Sequence, residues 1–307
     1  MLLRPIDVLK FHPVRKGKNQ KQAFRSDATD YLQKLGYPVR IEQGSQGSQN
    51  LVIGNSAKAK YIITAHYDTP PRMLFPNFIT PCNPLVYFAY QFFIVVLFLA
   101  IAFLVGFVVN LIVNDLSISY LAGYFAYLAL LLLMMFGPAN KNNANDNTSG
   151  VITLLEIASA LPESYRGQVC FVLFDLEERG LIGSASYRKS HKKETEHQIV
   201  LNLDCVGDGN DIMMFPTKKL KKDGTRMDAL EKACGVFGKK TLSLHRKGIA
   251  VCPSDQKNFP YGVGIMAFHR KKYLGLYCDR IHTNRDTILD ETNVKTIRSA
   301  IIKLICQ

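Results

Sequence analysis

The sequence predicts an α/β protein built on a mixed, mostly parallel sheet flanked by helices and interrupted by an inserted transmembrane helical hairpin. Three observations carry that expectation. Short apolar runs alternate with amphipathic stretches along most of the chain, the pattern of strands and helices taken in turn. Several of the runs end directly in acidic residues or histidine, as strand ends do when they open on a crevice. Between Arg72 and Lys141, moreover, the only charged residue is Asp115.

In chain order, strands are expected at Val39–Glu42, Leu51–Ile53 and Tyr61–Ala65, and after the charge-free interval at Val169–Phe174, Ile199–Leu203, Ile212–Phe215 and Gly264–Phe268. A helix over Asp27–Leu35 is closed by Gly36, because glycine readily adopts the left-handed conformation that ends a helix. Ser149–Leu161 sets Val151, Leu154, Leu155, Ala158 and Leu161 on one face, and Glu291–Ile305 does the same with Val294, Ile297, Ile301 and Leu304, the spacing of core-facing helices. A further helix is expected at Thr225–Phe237.

The charge-free interval divides into Leu85–Val113, 29 residues, and Leu116–Phe136, 21 residues, joined by Asn114–Asp115. A helix needs about 20 apolar residues to cross a hydrocarbon layer of about 30 Å, so both segments qualify. Residues 84–137 are therefore expected to form a membrane hairpin, inserted into one soluble domain made of residues 1–83 and 138–307. Lys58, Lys60, Arg72 and Lys141 flank its outer ends and the turn carries no Lys or Arg, which orients the soluble parts toward the cytoplasm. A multi-pass protein of the cell membrane, with lipid as a partner, is the expected setting. Seven cysteines without a CxxC pair suit a reducing compartment, and the amino terminus has no stretch of signal-peptide character. The net charge of +13 is scattered without a nucleic-acid-binding motif, so no nucleic-acid partner is expected. A homo-oligomer is left open.

The strand YIITA runs into His66 and Asp68, FVLF into Asp175, Glu177 and Glu178, and IVLNL into Asp204. Loops add Asp146 and His282. Taken singly, His66 reads as a core-edge histidine, Asp146 as a helix cap and Asp204 as a turn residue. Together, two histidines and several carboxylates at converging strand ends suit zinc, cobalt or manganese. Two adjacent glutamates repel one another, so a chain without chemistry to perform gains nothing from the pair Glu177 and Glu178.

The ordered series His66-Tyr67-Asp68, Asn145-Asp146-Asn147-Thr148-Ser149-Gly150, Phe174-Asp175-Leu176-Glu177-Glu178-Arg179-Gly180-Leu181-Ile182-Gly183-Ser184, Asn202-Leu203-Asp204 and Ile281-His282-Thr283 through Asp286-Thr287 resembles the co-catalytic di-zinc aminopeptidases. That family includes bacterial leucyl aminopeptidases, aminopeptidase Y, glutamate carboxypeptidases and glutaminyl cyclases. The resemblance implies a zinc-peptidase α/β/α sandwich that binds two divalent metal ions, with Zn2+ as the expected metal, and hydrolyses N-terminal residues from peptide substrates. By position, Asp146 corresponds to the carboxylate bridging both metals, His66 and Asp204 to the remaining ligands of one, and Glu178 and His282 to those of the other. Glu177 corresponds to the general base and Asp68 to a carboxylate that orients His66. The stretch Ser254-Asp255-Gln256 resembles the family's substrate-side loop but has Gln256 where histidine is usual, so no substrate-binding residue is assigned. Glutaminyl cyclisation, carboxypeptidase action and a non-catalytic membrane scaffold are the alternatives.

Overall fold

The computed structural model describes residues 4–307; Met1–Leu3, the start of the stretch read for a signal segment, lie outside the described residues. The chain opens with α1 (Val8–Phe11) and α2 (Lys18–Lys34), followed by β1 (Val39–Gln43), β2 (Gln49–Ile53) and β3 (Tyr61–His66). Two long helices come next, α3 (Pro84–Val113) and α4 (Leu116–Phe136). Beyond them run α5 (Gly150–Ala160), β4 (Val169–Phe174), α6 (Ile182–Ser190), α7 (Lys192–Thr195), β5 (Ile199–Leu203) and β6 (Asp211–Pro216). The last third holds α8 (Gly224–Ala233), β7 (Gly235–Phe237), β8 (Lys240–Leu244), β9 (Gly262–Lys271), β10 (Gly275–Tyr277) and α9 (Glu291–Ile305).

Among the described residues these strands form one sheet in the order β1-β2-β4-β3-β5-β9-β6-β8-β7, with β10 added against β9. Its centre is parallel: β3 lies between β4 and β5, and β5 pairs with β9 in the same sense. Every residue of β3, β4 and β5 is buried, which explains why these strands read as continuous apolar runs; both faces of a parallel sheet are covered. One face carries Ile63, Ala65, Phe171 and Leu173 against α5 and α9, and the other carries Ile62, Cys170, Val172 and Phe174 against Tyr187 of α6 and Phe259. Antiparallel pairs build the flanks, apart from β6 and β8, which run parallel.

Two expectations need correction. The helix over Thr225–Phe237 stops at Ala233, and Gly235–Phe237 is instead the edge strand β7; Gly235 sits at φ +156, a conformation that a helix cannot continue through. The helix expected from Asp27 begins at Lys18, because Lys21, Phe24 and Arg25 form an inward face whose charges concealed it. The short strands β7, β8 and β10 have no counterpart among the expected elements; lysines and glycines interrupt their apolar pattern.

Helices α3 and α4 pack against each other as a hairpin and stand clear of the core. Both are long and apolar enough to cross a membrane, and only 11% and 6% of their most apolar windows are buried. Their exposed surface separates them from core helices of a soluble protein. The two axes approach closely at Gly106, where an added Cβ would lie 2.8 Å from the Ser119 carbonyl oxygen. Asp115 caps α4 by accepting from the amides of Ser117 and Ile118.

Candidate metal centre

Because β3 runs parallel between β4 and β5, its carboxyl end lies beside theirs, and His66 is in register with Phe174. The residues that follow each strand therefore meet. Nε2 of His66 is 3.3 Å from Oδ1 of Asp146 and 3.7 Å from Oδ1 of Asp204. Nε2 of His282 is 3.2 Å from the other Asp146 oxygen, Oδ2, and 3.5 Å from Oε2 of Glu178. Asp146 thus faces a different histidine with each carboxylate oxygen. Together with Glu177 these side chains line a cavity of about 60 Å³.

The backbone is bent to make this possible. Leu176 takes a left-handed φ of 57° and His282 one of 64°, which non-glycine residues adopt at some energetic cost, most often at functional sites. After the turn at Leu176, the amides of Glu177 and Glu178 both point at Asp68, donating to Oδ1 at 3.1 Å and Oδ2 at 3.2 Å. Asp68 also stands 3.5 Å from Nδ1 of His66, close to that motif though without a hydrogen bond to it. Gly183 allows α6 to start against the end of β4; a Cβ there would lie 2.1 Å from the Asp175 carbonyl oxygen.

Several residues to which the sequence assigned no role hold the loops. Asp286 accepts from the amides of Asn145 at 2.7 Å and Asp146 at 3.0 Å, fixing the loop that carries Asp146. Asn147 donates to the carbonyl of Leu203 at 2.9 Å and so joins that loop to β5. Arg15, fully buried, donates to the carbonyls of Tyr67 at 2.6 Å and His12 at 2.5 Å and to Oγ1 of Thr148 at 2.9 Å. An early arginine in a basic stretch carries no local signal of such a place; only the fold buries it. Asp175 turns away from the cleft to pair with Lys21 at 2.5 Å. Gln256 likewise faces the scaffold, donating to the Cys252 carbonyl at 2.8 Å and accepting from Asn202 at 3.1 Å.

So many buried acids disturb one another. Burial, together with Glu178 and Asp255, pushes Glu177 well above the ordinary glutamate range, and burial with Asp146 does the same for Glu178. Burial raises Asp255 to about 7, and burial with Asp146 raises Asp286 to about 7. Burial opposes ionisation of Asp146 too, yet His282 and His66 hold it well below the usual carboxylate range. Burial likewise disfavours a charged His66, but Glu177, Asp146, Asp204 and Asp68 outweigh it and keep the imidazole well above its ordinary value. The cluster is rich in negative charge, and bound cations would relieve it.

The spacing fits metal better than hydrogen bonds. Two ligands each about 2.1 Å from one tetrahedral zinc stand roughly 3.4 Å apart, and the histidine-to-carboxylate separations of 3.3, 3.7, 3.2 and 3.5 Å bracket that value. Asp204 Oδ1 is buried without a hydrogen-bond partner, an arrangement that normally costs about 1–3 kcal/mol. Donor atoms of His66, Asp146 and Glu178, of His66, Glu177 and Asp204, and of Asp146, Asp204 and Cys205 lie within 4.8 Å of one another, overlapping groups of one continuous cluster that could hold metal.

Residues 133–305, more than half of the chain, match peptidase family M28. The chain belongs to that peptidase family, a class of hydrolases. The fold agrees with this. A Zn-dependent exopeptidase from Parabacteroides distasonis superposes with a TM-score of 0.61 at 15% identity, covering 98% of this chain and 94% of that one. A glutaminyl cyclase from Porphyromonas gingivalis gives 0.59 at 16%, over 98% and 95% of the two chains. A leucine aminopeptidase precursor from Bacteroides thetaiotaomicron gives 0.59 at 16%, over 99% and 94%. No curated protein sequence matches significantly.

Proposed function

We propose that the protein is a membrane-anchored metallo-aminopeptidase that removes N-terminal residues from peptides. The observation that carries this reading is the double-facing carboxylate of Asp146, 3.3 Å from His66 and 3.2 Å from His282. His66, Asp146 and Asp204 would hold one divalent cation, and Asp146, Glu178 and His282 a second. When bound, zinc supplies Lewis acidity toward a carbonyl and acidifies a neighbouring water.

The chain's own residues do the rest. Glu177 projects into the same cavity as the metal-binding side chains. Its carboxylate accepts a proton from the attacking water as the oxygen bonds to the scissile carbonyl carbon. As the carbon–nitrogen bond breaks, the same oxygen of Glu177 returns that proton to the leaving amine. Asp68 keeps the adjacent glutamates apart in role by fixing their amides.

In this reading residues 1–83 and 138–307 form the peptidase unit and residues 84–137 its anchor in the cell membrane, with the peptidase on the cytoplasmic side. Arg72 and Lys141 flank the roots of the hairpin, and the Arg179 guanidinium lies 5.1 Å from the centre of the Phe136 ring at the end of α4, which suits an anionic lipid surface.

The test is release of amino acids from paired free and N-acetylated peptides, with zinc or cobalt and with chelator. Hydrolysis confined to free N-termini and abolished by chelator is expected. Cyclisation of N-terminal glutamine without hydrolysis would favour the glutaminyl cyclase alternative. Asp146→Asn should lower bound metal more than any other single change, and retention of two tightly held ions would refute the bridging role.

A further inference from the structure

The cleft does not end at its carboxylates. Beside it lies a second cavity of about 150 Å³, walled by Met73, Phe75, Tyr90, Ile94 and Met134, and the two cavities share Asn77, Glu178 and His282. Three of those walls belong to the hairpin: Tyr90 and Ile94 to α3, and Met134 to α4.

The position of these residues along the hairpin follows from helix lengths. At about 1.5 Å per residue, α3 is roughly 45 Å long and α4 roughly 32 Å, and both end at the turn Asn114–Asp115. Helix α3 therefore outruns α4 on the peptidase side. Counted back from the turn, Ile94 and Met134 each lie about 30 Å away, the thickness of a bilayer's hydrocarbon layer. With the hairpin spanning a bilayer as proposed above, the cavity would sit where hydrocarbon gives way to headgroups, the depth at which apolar side chains of interfacial peptides settle.

The wall is tied to the metal-binding loop. The Tyr90 hydroxyl donates to the Pro76 carbonyl at 2.8 Å, and the Phe75 ring packs on Phe98 with centroids 6.1 Å apart. The amide of Met73 donates to the His282 carbonyl at 2.7 Å, and that of Asn77 to the Ile281 carbonyl at 3.2 Å. Hairpin, connecting strip and His282 thus form one surface. A cavity of about 150 Å³ is large enough for a benzene-sized group; Met73, Phe75, Pro76, Ile94 and Met134 give it an apolar side against which isobutyl, thioether and benzyl side chains fit, while Gln91 and Asn77 add neutral polar groups. Among the described residues Glu178 and His282 are its only carboxylate and imidazole and no Lys or Arg lines it, so a charged side chain would lose hydration there without a dedicated partner.

We propose that this cavity receives the first side chain of the substrate and selects peptides that begin with a bulky apolar residue, the hairpin itself supplying part of the specificity pocket. This rests on the aminopeptidase reading above.

The experiment uses the full chain with zinc in lipid nanodiscs and compares kcat/KM for peptides that differ only in a first residue of alanine, leucine, phenylalanine or lysine. Leucine and phenylalanine should exceed alanine and lysine by tenfold or more. Ile94→Trp, which fills the cavity, should reduce leucine and phenylalanine hydrolysis at least tenfold while leaving alanine within about twofold. Ile94→Ala, which enlarges it, should shift preference from leucine toward phenylalanine, and this second variant decides the matter if the first does not fold. Equal effects on all substrates, or none, overturn the subsite. If the wild-type protein releases no residue from any free peptide, the aminopeptidase reading fails instead. The cavity is then judged by calorimetric titration with leucinamide, whose binding Ile94→Trp must abolish if the assignment is right.

Discussion

Replacing Glu177 by glutamine keeps the side chain's size and removes its ability to accept a proton. The Asp68 brace survives, because it grips the backbone amides of Glu177 and Glu178 and neither side chain. The histidine and carboxylate contacts of Asp146, Glu178, Asp204 and His282 do not involve Glu177. Both metals should therefore stay, whereas Glu178→Gln removes an anionic donor 3.5 Å from His282 and should empty one site. Loss of a general base lowers turnover by about 10²–10⁴-fold, equivalent to roughly 3–5 kcal/mol of barrier at about 1.4 kcal/mol per tenfold. A second readout needs no activity. Burial holds the folded-state pKa of Glu177 above its unfolded value, so in chelated protein folding is progressively penalised as pH rises above the unfolded pKa, where only the unfolded chain gives up its proton. Glutamine carries no such penalty. Chelated Glu177→Gln should accordingly melt higher than wild type at pH 8, with the difference fading toward pH 4.5. Elemental analysis, steady-state kinetics and thermal melts measure the three effects; equal metal loss in the Glu177→Gln and Glu178→Gln variants would refute the division of roles.

Arg15→Met leaves the carbonyls of Tyr67 and His12 and the Thr148 hydroxyl without their donor. Those losses outweigh relief of a guanidinium that burial has lowered to about 10, for a net cost of about 3 kcal/mol, seen as a melting temperature lowered by roughly 6–12 °C; an unchanged melt would disprove it. For orientation, Asp115→Cys in a background lacking the exposed Cys82 should label from outside intact cells and Lys141→Cys should not. The reverse pattern would overturn the cytoplasmic placement.

Much of the fold and site is legible in the sequence, for reasons that are local. Strands β3, β4 and β5 announce themselves because a doubly covered parallel sheet demands unbroken apolar runs. The hairpin does so because both its helices are long and apolar enough to cross a membrane, a stretch almost free of charge. His66, Asp146, Glu177, Glu178, Asp204 and His282 can be nominated because ligand chemistry restricts residue types and strand ends restrict their positions, and all six line one cavity. What the sequence hides depends on contacts between distant segments. The inward face of α2 is concealed because Lys21 and Arg25 look like solvent residues until Asp175 and Tyr67 are brought to meet them. Arg15 is an ordinary charge in sequence and Asp286 falls in a motif without a role assigned to it; both become braces only when β3, β5 and the Asp146 loop converge. That Asp146 turns one oxygen to each histidine, and that the feet of α3 and α4 wall a cavity adjoining Glu178 and His282, are facts of tertiary placement. Composition and spacing govern which side chains can serve a chemistry; the distances at which they serve it are set by backbone turns and by partners more than a hundred residues away.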